Sequence, residues 1–290
     1  MSLFLEFSIV GLASGGIYVL AALSFVIVYK ATNIFNFATG EMMMLGAYLF
    51  LLFDIQLGLG WGVGLVAALA GSAVLAMLTE RIVLRPLIGR PHIVLVMVTF
   101  GVASVFRGFA GLIWGPNVHQ LTELLPRAPL FLGNILIPGK LAWGFVAAGL
   151  IAGSFIAYYR FSRAGTAIRA TSTDQVTAES LGINIRMVFA MSWAFAGVLA
   201  AASGILAGSV NGVTPQLGLV ALNVLAVVML GGMTSVGGVV VAGLFIGWLE
   251  TIVGAYLGAA WQSFIPYLIV LFVMIIKPTG LFGERRVERI

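Results

Sequence analysis

Apolar runs dominate the chain and are divided by short polar breaks. Runs of roughly 20 residues, the length that crosses ~30 Å of hydrocarbon as a helix, lie at about 3–28, 36–53, 61–79, 92–114, 141–159, 187–210 and 258–276. Between 219 and 257 the apolar sequence is interrupted by Gly231-Gly232 and Gly237-Gly238, which predicts two shorter helices with a turn between them. None of the runs alternates with the period of a strand, so a membrane β-barrel is excluded. The pattern predicts an all-α integral membrane protein: a polytopic bundle of eight or nine transmembrane helices, with a broken helix near 29–41. Residues 1–290 form a single transmembrane domain.

Composition sharpens this reading. Only 9% of the 290 residues are charged and 61% are hydrophobic, against about 25% charged in soluble domains. With no cysteine, disulfides and thiolate metal sites are excluded. The net charge of +5 does not point to nucleic acid, because the basic residues sit in short loops between apolar runs. Lys30, Arg81, Arg85, Arg90, Arg160, Arg163, Arg169, Arg186, Lys277, Arg285, Arg286 and Arg289 fall on one side, against Arg127 and Lys140 on the other. This positive-inside bias places the 80–91 loop, the 160–186 loop and the tail 277–290 in the cytoplasm, with the N-terminus outside. The first run begins at once, without a basic leader, and carries Glu6, so it reads as a retained span. The outward loop 115–140, with Pro116, Pro126, Pro129 and Pro138, predicts a short structured cap. No internal repeat is evident.

Glu41, Arg107 and Glu250 are embedded in apolar sequence. A charge in the bilayer costs at least ~2.5–3.5 kcal/mol on insertion scales and needs a partner or water. For Glu41 and Glu250, near the ends of their spans, a polar pathway and an interfacial position are equally compatible. Arg107 stands about seven residues inside its span, which favours a buried ion pair or polar contact. The segment Asn33–Glu41, with two Asn, a Thr and a Gly, reads either as a discontinuous helix lining a path or as a plain cytoplasmic turn capped by Asn and Thr.

The 160–186 loop is long for a connection between packed helices. Thr173 or Asp174 can cap a short helix through Val176, Ala178, Glu179 and Leu181 that stops at Gly182. Its uncharged face (Ala178, Leu181, Gly182, Ile183) suits a protein groove, and lipid headgroups are the alternative seat. Signs of an enzyme are poor. His92 and His119 have no metal-ligand spacing. Gly133…Gly139-Lys140-Leu141 departs from a phosphate loop in spacing, lacks its Ser/Thr, and faces outward. A transporter built on this chain takes its energy from a partner or an ion gradient.

Five segments in order carry a resemblance over nearly the whole chain: NFATGEMMMLGAY (Asn36–Tyr48), ERIVLRPL (Glu80–Leu87), FSRAGTAIRATSTDQVTAESLGI (Phe161–Ile183), VMLGGMTSVGGVVVAG (Val228–Gly243) and KPTGLFG (Lys277–Gly283). The chain resembles the permease subunits of branched-chain amino acid ABC importers, and its length resembles the shorter permease of the pair. The resemblance implies a heterodimer with a second, homologous permease, two cytoplasmic ATPase subunits and an extracytoplasmic substrate-binding protein, in a bacterial or archaeal inner membrane. ATP and Mg are then used by the ATPases, and no cofactor is bound by this chain. The 164–183 stretch resembles the ATPase-coupling loop, which assigns coupling to Ala164, Gly165, Asp174, Ala178, Glu179, Leu181, Gly182 and Ile183. The expected path residues are Asn36, Thr39, Glu41, Arg107, Asn211, Thr214, Asn223 and Glu250, with the 115–140 and 211–218 loops receiving the binding protein. Thr39 departs from the family, which often has His there. Relatives that carry urea or short amides share these motifs. An ion-coupled carrier working alone is the competing reading, and it leaves the long cytoplasmic loop without a task.

Overall fold

The structure, a computed structural model, describes residues 2–87, 89–133 and 135–283. Arg285, Arg286 and Arg289 of the basic tail lie outside the described residues. The helices are α1 (Ser2–Thr32), α2 (Thr39–Leu51), α3 (Trp61–Leu78), α4 (His92–Trp114), α5 (Gly139–Phe161), α6 (Arg163–Thr173), α7 (Gln175–Ser180), α8 (Ile185–Asn211), α9 (Val220–Gly231), α10 (Val236–Leu257) and α11 (Ala259–Ile276). A hairpin of β1 (Leu130–Leu132) and β2 (Ile135–Ile137) stands in the predicted cap. Among the described residues seven helices are long and apolar enough to cross a membrane. The other two apolar helices, α2 and α9, are short.

Two expectations are corrected by these lengths. The apolar run 36–53 is not one of the seven spans: its helix begins only at Thr39, within the bundle, and α2 passes at Leu52 into a π-helical turn that ends at Gln56. The stretch 219–257 is not two short helices: α9 has 12 residues, but α10 has 22 and crosses completely. The break lies at 232–235 alone. Gly232 ends α9 at φ 98°, a backbone region that side chains with a Cβ avoid. Ser235 then caps α10 by accepting from the Gly238 N–H at 3.0 Å, so Gly237-Gly238 falls in a helical turn.

Long-range hydrogen bonds gather the basic positions at one end of the bundle. Lys30 Nζ donates to the Thr234 carbonyl at 2.8 Å and Arg85 Nη2 to that of Arg186 at 3.4 Å. At the opposite, outer end Lys140 Nζ donates to Ser209 O at 2.8 Å, and His119 pairs with Val213. α1 starts at the outer end, where β2 packs on it.

From these two ends an inverted repeat emerges that the sequence hides. In α1–α4 a long helix runs inward, the chain turns back into the bundle, a half-length helix runs outward, and two crossings follow. In α8–α11 the same plan runs in the opposite sense. The packing repeats with it: α1 lies on α10 as α8 lies on α3, and α2 lies on α8 as α9 lies on α1. Such pseudo-two-fold plans place binding sites where the discontinuous helices meet.

The centre is formed by α1 and α8, each 72% buried over its most apolar window. Without a hydrophobic drive between helices in lipid, small residues at the seams let backbones approach. A Cβ on Gly204 of α8 would run into the Met43 carbonyl of α2.

Candidate functional site

The two half-length helices begin inside the bundle, and their starts meet. After Thr32 the chain reverses at Asn33, whose φ of 56° is the left-handed conformation that Asn tolerates. Residues 34–37 then climb outside the helical hydrogen-bond ladders, yet Ile34, Asn36 and the following Ala38 are buried. Irregular backbone at that depth needs internal partners. Thr99 of α4 supplies one by accepting from the Phe37 N–H at 3.2 Å, and Asn36 Oδ1 accepts from Ala38 N at 3.0 Å. Phe37 stacks on Phe100 with ring centroids 4.1 Å apart, which sets it eight residues, or ~12 Å, along α4 from its inner end. The segment is therefore a re-entrant break ahead of a half-length helix, and not a solvated cytoplasmic turn.

α9 starts at the same level. A Cβ on Gly40 would overlap the Gly218 carbonyl, and Gly218 in turn stands against the Glu41 carboxylate. Gly40 is required for this approach, and Gly218 leaves room for the Glu41 carboxylate. Across from them Arg107 Nη2 donates to Glu41 Oε1 in a salt bridge. The Glu41 side chain is 4% exposed and that of Arg107 46%. The pair borders a cavity of about 250 Å3 whose other walls include Phe25, Phe37, Phe100 and Leu222.

Glu250 belongs to a second polar cluster. Tyr18 of α1 donates to Glu250 Oε2 at 2.7 Å, and Tyr267 of α11 donates to Asn223 Oδ1 at 3.0 Å, with Asn223 beside Tyr18. Glu250 Oε1 is buried without a hydrogen-bond partner among the described residues.

The eight path candidates thus separate. Glu41 and Arg107 line the cavity together. Asn36 and Thr39 do not line it: the Thr39 hydroxyl donates to Asn36 O at 2.9 Å, so both side chains are spent on the break behind the cavity. Asn223 and Glu250 meet in the second cluster. Asn211 and Thr214 stand at the outer end, Asn211 exposed and Thr214 ahead of a 3₁₀ turn, Pro215–Leu219. Both embedded glutamates are buried within the bundle. Tyr18 and Tyr267 escaped the sequence reading, although a phenol inside an apolar run is a signal for a buried partner.

At the cytoplasmic end the long loop holds two helices where one was expected. α6 is capped by Ser162, whose Oγ accepts from Gly165 N at 2.9 Å. Asp174 caps α7, accepting from Val176 N at 2.9 Å and from the Thr177 hydroxyl. These bonds hold the Asp174 carboxyl below the usual carboxylate range, the Thr177 contact foremost. Gly182 closes the unit at φ 86°. The expected docking face is divided: Ala178 is buried and Ile183 packs on the core, while Leu181 is 76% exposed beside Val176 and Glu179. Gly165 is buried where a Cβ would meet the Tyr159 carbonyl, and Ala164 is half-buried. Next to this unit Arg85 clasps Glu80 with two bonds, 3.0 and 2.9 Å.

A helical bundle with two half-length helices meeting at a membrane-embedded ion pair defines a transmembrane transport permease. The chain belongs to the family of permease components of branched-chain amino acid transport systems, whose profile matches residues 8–274. It is 26% identical to the high-affinity branched-chain amino acid transport system permease protein LivH of Escherichia coli K12, over 99% of this chain and 98% of that one. Identity is also 26% to BraD of Pseudomonas aeruginosa (97% and 96% covered) and to a probable LivH of Methanocaldococcus jannaschii (91% and 88%). PsaBC from Streptococcus pneumoniae in complex with Fab shares the fold, with a TM-score of 0.52 at 13% identity over 95% of this chain and 92% of that one. The protein is a multi-pass cytoplasmic-membrane permease.

Proposed function

We propose that this chain is one permease of an ATP-driven importer that moves branched-chain or related apolar amino acids. It pairs with a second, homologous permease and two cytoplasmic ATPases, and an extracytoplasmic binding protein delivers the cargo. Catalysis resides in the ATPases, which use ATP and Mg. The observation that carries this reading is the α6–α7 unit, which roots Ala178 and Ile183 in the bundle and offers Val176 and Leu181 to the cytoplasm. Apolar side chains grouped on an exposed face suit a protein contact. Movement of this unit with the ATPases reaches α8 directly through Asn184, whose side chain accepts from Met187 N at 3.1 Å. The cavity at Glu41–Arg107 then lies on the path, and the 115–140 and 211–218 segments meet the binding protein.

The test is reconstitution of the complete complex in liposomes with labelled leucine. Uptake is expected to require ATP, the ATPases and the loaded binding protein, and deletion of Ala178–Ile183 should abolish it while membrane insertion survives. Uptake driven by an ion gradient without the ATPases would establish a secondary carrier instead. ATP-driven uptake of urea or acetamide, with no amino acid carried, would assign the other cargo class.

A further inference from the structure

We propose that the cavity between α2, α4 and α9 holds the carboxylate of the passing solute on the Arg107 guanidinium, with Glu41 as the positioning residue. This rests on the reading that the cavity lies on the transport path. The donor balance at the site supports it. Arg107 spends Nη2 on Glu41, and its Nε and Nη1 have no partner among the described residues. Its side chain is half-exposed and borders the cavity, while Glu41 is almost completely enclosed. Glu41 therefore holds the guanidinium from one side through a single Nη2 proton, and the edge formed by the second Nη2 proton with its unpartnered neighbour nitrogen is left for a planar anion, the geometry in which arginine binds carboxylates.

Two further features favour a negative group. Helices α2 and α9 both begin at the cavity, at Gly40–Glu41 and just beyond Gly218–Leu219, so the positive ends of their dipoles point into it. Of the remaining walls, Phe25, Phe37, Phe100, Leu222 and Leu225 are apolar, and the Ser104 hydroxyl is bonded to the Phe100 carbonyl. The ligand class is an organic acid with an apolar remainder, which includes the branched-chain amino acids. Urea and short amides lack the negative end.

The native chain has no cysteine, so Ser104→Cys, on the cavity wall, gives this subunit a single reporter within the complete importer in lipid nanodiscs. Anionic and cationic methanethiosulfonate reagents are compared there, with the modified peptide identified by mass spectrometry. The anionic reagent is expected to react about tenfold faster, the low end of the effect that a charged cleft has on association rates. Arg107→Gln should erase that preference and Glu41→Gln should increase it, a shift that a purely structural role for Glu41 would not cause. Leucine and 4-methylpentanoate should slow modification, and isoamylamine and urea should not. A cationic preference, no preference, or equal protection by isoamylamine overturns the proposal. Leu222→Cys on the facing wall repeats the measurement if Ser104→Cys impairs assembly. ATP-driven leucine uptake without anion preference removes the carboxylate site alone. Anion preference in a complex that carries no leucine under ATP removes the importer reading alone.

Discussion

Tyr18 and Glu250 lie 232 positions apart in the chain, yet the Tyr18 hydroxyl donates to Glu250 Oε2 at 2.7 Å and closes the seam between the first helix and the tenth. Among the described residues no cation pairs with the carboxyl, and its other oxygen is buried without a donor. Its environment is thus held together by that one hydroxyl. Tyr18→Phe removes the donor and keeps the ring, and should cost about 1–3 kcal/mol, the range for leaving a buried polar group unsatisfied. Glu250→Gln keeps an acceptor for Tyr18 and should cost less. Thermal unfolding of the purified protein in detergent ranks the two variants, and the reverse order would contradict the arrangement.

The Glu41–Arg107 pair is asymmetric in burial, and its variants should be asymmetric in stability. Arg107→Met leaves an almost fully enclosed carboxylate without a counter-charge, and the loss should approach the lower end of the ~3–5 kcal/mol typical of broken buried pairs. Glu41→Gln leaves a guanidinium that is 46% exposed and can turn toward the cavity mouth, so about 1 kcal/mol is expected. Unfolding temperatures measured in nanodiscs give the comparison. Equal losses would mean that the carboxylate is hydrated in the membrane.

The span positions and the orientation were legible because the bilayer enforces them locally: each crossing needs its own apolar run, and each inner loop shows its own arginines. Depth is not local. The run 36–53 has the length of a crossing, and hydropathy cannot distinguish a helix that starts at the surface from one that starts beside Phe100 after a buried climb. The inverted repeat escaped for a related reason, since α1–α4 and α8–α11 share directions and partners without sharing a visible residue pattern. Arg107 was legible as an energetic debt, and the sequence contained nothing that assigned Glu41 to it. Tyr18 was hidden because its partner lies at the far end of the chain. The missed helix α6 was readable in principle, because Ser162 offers the same kind of cap as Asp174.

Asp174 makes the α7 cap dependent on pH in a defined direction. Its carboxyl is held below the usual carboxylate range by the Thr177 hydroxyl and then by backbone N–H groups. A group whose pKa is depressed in the folded state stabilises it above the unfolded value, about 3.9 for Asp, and loses that contribution as the pH falls through the folded value. Hydrogen–deuterium exchange of the 175–180 segment should therefore be slower in the native protein than in Asp174→Ala throughout the neutral range. The difference should begin to shrink only below about pH 4. A difference already lost at pH 6 would assign the cap to another group.

The half-length helix α9 ends at the cytoplasmic face, and the KPTGLFG segment closes that end. Leu281 N donates to Leu230 O at 2.8 Å and Phe282 N to Gly231 O at 3.3 Å, satisfying two of the carbonyls that a helix C-terminus leaves open. Gly280 makes the approach feasible: it sits at φ 79°, and a Cβ there would stand 2.6 Å from the Met229 carbonyl oxygen. Gly280→Val should lift the segment from α9. Each lost hydrogen bond costs about 1 kcal/mol, so exchange of the Leu281 and Phe282 amides, which donate these bonds, should quicken by roughly a factor of five to ten, and the last turn of α9 should exchange faster as its carbonyls lose their donors. The α5 amides serve as the internal reference. Unchanged exchange in 225–231 with normal membrane insertion would show that α9 is held from within the bundle, and that its inner end is free to move when the α6–α7 unit does.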